Sequence, residues 1–79
     1  MADRLPYNSD PETHVTEEAA EVIHAICKAK RFGWLNYPPG GSSTCTNLDY
    51  TLEEISQLEW GIIRLKMKLQ KLLEEKLDV

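Results

Sequence analysis

The chain has 79 residues and a formal net charge of −4 at pH 7, and 42% of its residues are hydrophobic. A chain of this length forms at most one domain and buries only about 60% of its unfolded surface, so it needs unusually good helix packing, disulfides, a metal or self-association. The acidic balance excludes a general nucleic-acid binder, which shows a clustered basic face. No apolar run reaches the roughly 20 residues that span a bilayer. We therefore expect neither a nucleic-acid nor a membrane partner.

The N-terminus and the two cysteines give expectations about location. Residues 1–9 lack hydrophobic periodicity, which predicts a flexible arm in front of a helical domain at residues 10–79. The opening residues contain no apolar signal-peptide segment, so we expect a cytoplasmic protein. Cys27 and Cys45 match neither a disulfide framework nor a zinc spacing, which favours free thiols in a reducing compartment.

The first predicted helix covers about residues 10 to 32. Ser9 or Asp10 suits the N-cap, Pro11 suits the first helical position, and Gly33 suits the residue that ends the helix. Apolar residues recur at spacings of three and four, which predicts one apolar stripe made of Val15, Ala19, Val22, Ile26 and Ala29.

The connection at residues 33–50 is long for so small a protein. Pro38, Pro39, Gly40 and Gly41 break any regular element. Connections of this length inside a compact domain are often functional. We expect Trp34 and Tyr37 either to anchor this loop on the helices or to cover a ligand.

The second predicted helix begins at Thr46 or Thr51, since both threonines have an acidic residue three positions later, although Asp49 is a weaker capping-box partner for Thr46 than Glu54 is for Thr51. It carries an a/d heptad series made of Ile55, Leu58, Ile62, Leu65, Leu69 and Leu72, and a second apolar strip made of Trp60, Ile63 and Met67. The first helix is shorter and covers only part of this surface. We therefore predict an all-α fold, in which two main helices joined by a Pro/Gly-rich loop assemble as a helical-bundle homo-oligomer.

Each predicted helix carries two oxygen-bearing side chains at a three-residue spacing. Glu18 and Glu21 share one helix face, and Glu54 and Gln57 do the same on the second helix. Two such helices facing each other form a carboxylate cage, and hard oxygen ligands suit Mg²⁺. The alternatives are a solvated acidic face on the first helix and, if Thr51 is the N-cap, a capping role for Glu54.

The order of these segments resembles a known family. The chain reads EEAAEVIHAICKAKRFG, then a Pro/Gly loop with Asn36 and PGG, then TNLDYTLEEISQLEWGI. This combination resembles the MazG-like all-α nucleotide pyrophosphohydrolases, and the compact phage-type members most of all. Their pattern is EExxE on one helix and ExxD on a later one, and the resemblance covers roughly residues 12 to 65.

The resemblance implies a site and an activity. Family members are helical bundles that assemble as dimers or tetramers, hold Mg²⁺ on both acidic motifs, and cleave nucleoside triphosphates to the monophosphate and pyrophosphate. By position, Glu18, Glu21 and Glu54 would be metal ligands, with Gln57 at the fourth position. Glu17 would be a further metal ligand or a water-positioning group, and Glu17 and Glu18 are the candidates for the glutamate that orients or deprotonates the attacking water.

The second motif departs from the family pattern, because Gln57 stands where the family has Asp. A glutamine carbonyl can coordinate a metal but carries no charge, so Mg²⁺ binding should be weakened. The same helix face continues through Gly61 to Arg64 and Lys68, which can bind phosphate together with Lys28 of the first helix. Their alternative role is that of exposed basic residues on a surface helix.

Three functions remain open from the sequence. The degenerate second motif favours a protein that binds or sequesters a nucleotide with little or no hydrolysis, for example a signalling nucleotide, as in phage counter-defence. In that reading Trp34 and Tyr37 stack on the base, and Lys28, Arg64 and Lys68 bind phosphate. The alternatives are an active Mg²⁺-dependent nucleoside triphosphate pyrophosphohydrolase and a coiled-coil-type oligomerisation module.

Overall fold

The computed structural model of the chain describes residues 10–41 and 43–77, with only the backbone described at Leu77. The predicted arm at residues 1–9 lies outside the described residues. Two helices, α1 (Pro11–Phe32) and α2 (Asn47–Leu77), pack against each other, and no strand occurs in the described part of the chain. The predicted all-helical fold with two main helices is confirmed.

Both ends of α1 follow from local sequence. The Thr13 N–H donates a hydrogen bond to the Asp10 carboxylate at 2.8 Å, so Asp10 caps the helix directly before Pro11. At the other end Gly33 adopts φ 97°, a conformation that favours glycine, and its N–H donates to the Ala29 carbonyl at 2.8 Å. The predicted limits of the first helix are therefore confirmed to within a residue.

The start of α2 resolves the choice between Thr46 and Thr51. The Asp49 N–H donates to the Thr46 hydroxyl oxygen at 3.2 Å, and the Thr46 N–H donates to the Asp49 carboxylate at 3.0 Å. This reciprocal pair is a capping box. Thr51 lies buried inside the helix, where its hydroxyl donates to the Asn47 carbonyl at 2.8 Å. Glu54 is therefore not a capping residue.

The two helices are antiparallel, and contacts at both ends fix their register. At the loop end, the Asn47 side-chain amide donates to the Gly33 carbonyl at 2.9 Å, and the Asn47 N–H donates to the Asn36 carbonyl at 2.8 Å. At the other end, Lys68 Nζ lies 2.6 Å from a carboxylate oxygen of Glu12. The residues in between are therefore paired in a defined order along the hairpin.

The contact between the helices is narrow. A Cβ at Gly61 would lie 3.3 Å from Val15 Cγ2 and 3.5 Å from the His14 ring, so α1 passes close to this glycine. Ala29 is the one buried apolar residue in the described part of the chain, and no described side chain there is completely buried. The heptad series divides between two faces, since Leu58 and Leu65 are half-buried and the other four members are exposed.

Replacing Thr46 by alanine removes the acceptor of the Asp49 N–H and should lower the free energy of unfolding by about 1 kcal/mol. Thr46→Ser keeps the hydroxyl and is the matched control. Urea unfolding followed by circular dichroism measures both variants. Equal stability of the alanine and serine variants would contradict the capping role.

Acid should weaken the N-cap of α1. The hydrogen bond from the Thr13 N–H holds the pKa of Asp10 below its ordinary value of 3.8. A lowered folded-state pKa means that the ionised carboxylate stabilises the fold above pH 3.8, and that this contribution disappears as the pH falls through the lowered pKa. Asp10→Asn caps without titrating, so its stability should fall less than that of the natural chain between about pH 5 and pH 2.

The measurement is urea unfolding at both pH values, with the difference between the two proteins as the readout because other carboxyl groups titrate equally in both. Identical losses in the natural chain and in Asp10→Asn would contradict the ionised cap.

Candidate functional site

A cavity of about 280 Å³ lies where α1, the Pro/Gly loop and the first turns of α2 meet. It is lined by side chains of both helices and by the loop, namely Glu21, His24, Ala25, Lys28, Pro38, Pro39, Gly40, Gly41, Asn47, Tyr50 and Glu54. The antiparallel register creates this site, because it places the second half of α1 beside the first half of α2.

The two helical walls follow from residue spacing. Glu21, His24 and Lys28 are three and four residues apart, so they share one face of α1. Tyr50 and Glu54 are four residues apart and share one face of α2. The cavity thus contains one acidic residue from each helix and a single lysine, with an aromatic ring beside them.

The loop forms the third wall and depends on glycine. The Gly41 N–H donates to the Pro38 carbonyl at 3.1 Å, which closes a turn. Gly40 adopts φ 73°, a conformation that side chains disfavour, and a Cβ at Gly41 would lie 2.9 Å from the Pro38 ring. The PPGG segment therefore has the shape needed to close this side of the cavity.

Glu18 occupies an unusual environment. It is 8% exposed, and its Oε2 atom has no hydrogen-bond partner among residues 10–41 and 43–77. Buried polar atoms in folded proteins almost always have a partner, and an unsatisfied acceptor reduces stability. Glu17, directly before it, is exposed. Of the two predicted catalytic glutamates, only Glu18 therefore faces the protein.

The predicted metal ligands are only partly brought together. Glu21 and Glu54 line the same cavity. The Gln57 side-chain amide donates to the exposed Glu53 carboxylate at 3.5 Å, away from the lining of the cavity. Within residues 10–41 and 43–77, no three His, Cys, Asp or Glu side chains are placed to hold one metal ion. The magnesium site stays a prediction.

The predicted phosphate-binding residues separate into two groups. Lys28 lines the cavity, whereas Arg64 and Lys68 lie towards the far end of the hairpin. Arg64 Nη1 donates to His14 Nδ1 at 2.8 Å, and Lys68 forms its ion pair with Glu12. These contacts hold the N-terminal half of α1 against α2.

The two aromatic residues of the loop also lie elsewhere. Trp34 and Tyr37 are 43% and 52% exposed, and neither lines the cavity. The aromatic side chain at the cavity is Tyr50. Stacking of Trp34 or Tyr37 on a base therefore stays a prediction that this cavity does not support.

Sequence reasoning did not identify His24, Asn47 or Tyr50 as cavity residues. His24 could have been found, because it lies one turn after Glu21 and one turn before Lys28. Tyr50 could have been found in the same way, one turn before Glu54. Asn47 could not, since its position depends on its hydrogen bonds to the loop.

No helix in the described part of the chain is long and apolar enough to cross a membrane. Comparison of the sequence with protein families, and of the chain with curated proteins and solved structures, finds no match.

Replacing Glu18 by methionine should raise the free energy of unfolding by about 1–3 kcal/mol, because it removes a buried acceptor without a partner and nearly conserves side-chain volume. Glu17→Met is the matched control at the exposed neighbour, where the change should stay within about 0.5 kcal/mol. Chemical unfolding without ligand measures both. A destabilised Glu18→Met protein would show that the carboxylate already has a stabilising partner in solution.

Proposed function

We propose that this protein is a homo-oligomeric nucleotide-binding protein that sequesters its ligand with little or no hydrolysis. The observation that carries the proposal is the cavity in which Glu21 of α1 and Glu54 of α2 occur together with Lys28. These two acidic residues come from the two motifs that resemble the MazG-like pyrophosphohydrolases. Helical spacing alone does not require the two motifs to share one cavity.

The chemistry of the lining suits a nucleotide that binds together with a divalent cation. Two carboxylates and one lysine leave the cavity acidic, so a bare polyphosphate would be repelled. Glu21 and Glu54 would hold a cation such as Mg²⁺, whose charge would offset this repulsion. The Tyr50 ring and the neighbouring proline rings offer apolar surface for a base or a sugar.

The missing charge and the hydrogen bond of Gln57 favour nucleotide binding over hydrolysis. The family pattern places a charged ligand at this position, whereas here an uncharged amide is hydrogen-bonded to Glu53. Catalysis on phosphates requires charge stabilisation at defined positions, and the loss of one anionic ligand weakens it. The second candidate function, an active pyrophosphohydrolase, is favoured by one observation, the buried Glu18 oxygen that lacks a partner.

Self-association is part of the proposal. A cavity of about 280 Å³ is slightly smaller than the roughly 300–1,000 Å³ typical of ligand sites, so one chain encloses only part of a nucleotide. The exposed apolar side chains of α2, among them Trp60, Ile63 and Met67, form more apolar surface than a stable monomer usually leaves in water. A second copy would cover part of the exposed apolar surface of α2.

Isothermal calorimetry with nucleoside mono- and triphosphates and cyclic nucleotides, with and without Mg²⁺, tests the proposal. We expect binding of at least one nucleotide class, stronger with Mg²⁺, and at least a tenfold loss of affinity in Glu21→Gln and in Glu54→Gln. Glu75→Gln, at an exposed residue near the end of α2, is the matched control and should bind normally. Equal affinity in all three variants would place the ligand outside this cavity.

Pyrophosphate release from nucleoside triphosphates separates the two candidate functions. We expect little turnover by the natural chain and a gain in Gln57→Asp, which restores the missing charge. Rapid turnover by the natural chain would show that the protein is an active pyrophosphohydrolase and that it does not sequester its ligand. An absence of nucleotide binding and of turnover in both proteins would leave only the oligomerisation module.

A further inference from the structure

The charges of α2 are segregated over residues 47–71, before the mixed charges of its last turns. Residues 47–63 contain four acidic residues and no lysine or arginine, whereas residues 64–71 contain four basic residues and no acidic one. A charge reversal at the middle of a helix distinguishes the two ways in which it can pair with a copy of itself. Parallel pairing places like charges side by side, and antiparallel pairing places opposite charges together.

One exposed face of α2 carries a regular stripe at alternating spacings of four and three residues. This face, called here the α2 stripe, consists of Leu48, Leu52, Ile55, Glu59, Ile62, Lys66, Leu69 and Leu73, all of them exposed. Every second member of the stripe lies seven residues further along the helix, which keeps these side chains on one side of the helix. The stripe extends over about 38 Å of helix.

The hairpin itself leaves the α2 stripe uncovered. The face of α2 that meets α1 contains Thr51 and Gly61, together with the half-buried Leu58 and Leu65. Beyond Lys68, which pairs with Glu12 in the first turn of α1, α2 continues to Leu77 without a facing residue of α1. Within the part of the chain that the structure describes, the stripe is therefore open to a partner.

We infer that a second copy of this chain docks on the α2 stripe in antiparallel orientation, with the two-fold axis between Ile62 and Ile63. This register places Glu59 beside Lys66 of the partner subunit, twice by symmetry, and Leu52 beside Leu73 of the partner subunit. Both members of each pair lie on the stripe, equally far from the axis. The inference specifies the interface of the homo-oligomer in the proposed function, and the nucleotide cavity is not part of it.

Cysteine cross-linking tests the orientation. The starting protein carries Cys27→Ser and Cys45→Ser, and single cysteines are then introduced as Leu52→Cys or Leu73→Cys. After mild oxidation of an equal mixture, antiparallel docking gives disulfides between the two different variants. Each variant oxidised alone should stay largely uncross-linked. Self-cross-linking of both variants alone, or no cross-linking in the mixture, would overturn the inference.

Charge reversal provides an independent readout that does not need a disulfide. Glu59→Lys and Lys66→Glu should each weaken the dimer at least tenfold in sedimentation equilibrium, and the double variant should recover most of that loss. Glu75→Lys, away from the stripe, is the control. The inference would be overturned if the natural chain were monomeric at about 100 µM, a concentration well above the dissociation constants of most specific complexes. It would also be overturned if the double variant dimerised more weakly than both single variants.

These measurements are made without nucleotide, so they separate the two proposals. A failed cross-link with intact nucleotide binding would overturn only the inferred antiparallel interface. An intact interface without nucleotide binding would overturn only the proposed nucleotide binding.

Discussion

The antiparallel register of α1 and α2 is the constraint on which the rest of the structure depends. Hydrogen bonds between Asn47 and the loop fix it at one end, and the Glu12–Lys68 ion pair marks it at the other. The pair is exposed at both side chains and contributes little alone, so the loop end is the stronger determinant. A shift of α1 along α2 by one helical turn would separate Glu21 from Glu54 and eliminate the cavity.

The hairpin differs from a closed helical domain in which residues occupy the contact between its helices and which face outward. Small and polar residues such as Thr51 and Gly61 occupy the helix contact, and large apolar side chains face outward. Burial of apolar surface is the main favourable term in folding. A hairpin that buries so little apolar surface would gain stability from association with a second copy, and this is the physical reason for proposing a homo-oligomer.

Local sequence determined much of the fold. The limits of α1 followed from Asp10, Pro11 and Gly33, whose capping chemistry acts within four residues. The choice between Thr46 and Thr51 could not be made in advance, because both have the same spacing to an acidic residue. The neighbouring Asn47 decides between them, since its bonds to Gly33 and Asn36 join the helix start to the end of α1.

Helical spacing predicted the site only in part, because it also grouped Gln57 with Glu54, and Gln57 lies away from the cavity. The pairing of Glu21 with Glu54 and the inclusion of Lys28 followed from one face on each helix. Arg64 and Lys68 were assigned to phosphate from the same face of α2, but the length of that face carries them to the opposite end of the hairpin. Distance along a helix, about 1.5 Å per residue, separates residues that a helical wheel superimposes.

The central claim is that the cavity between Glu21 and Glu54 holds a nucleotide. Its most direct test is mass spectrometry of small molecules released by heat from protein that was incubated with a cellular nucleotide extract and then desalted. We expect one nucleotide class to be released from the natural chain and to be lost in Glu21→Gln. Release of no nucleotide, or equal release from both proteins, would contradict it.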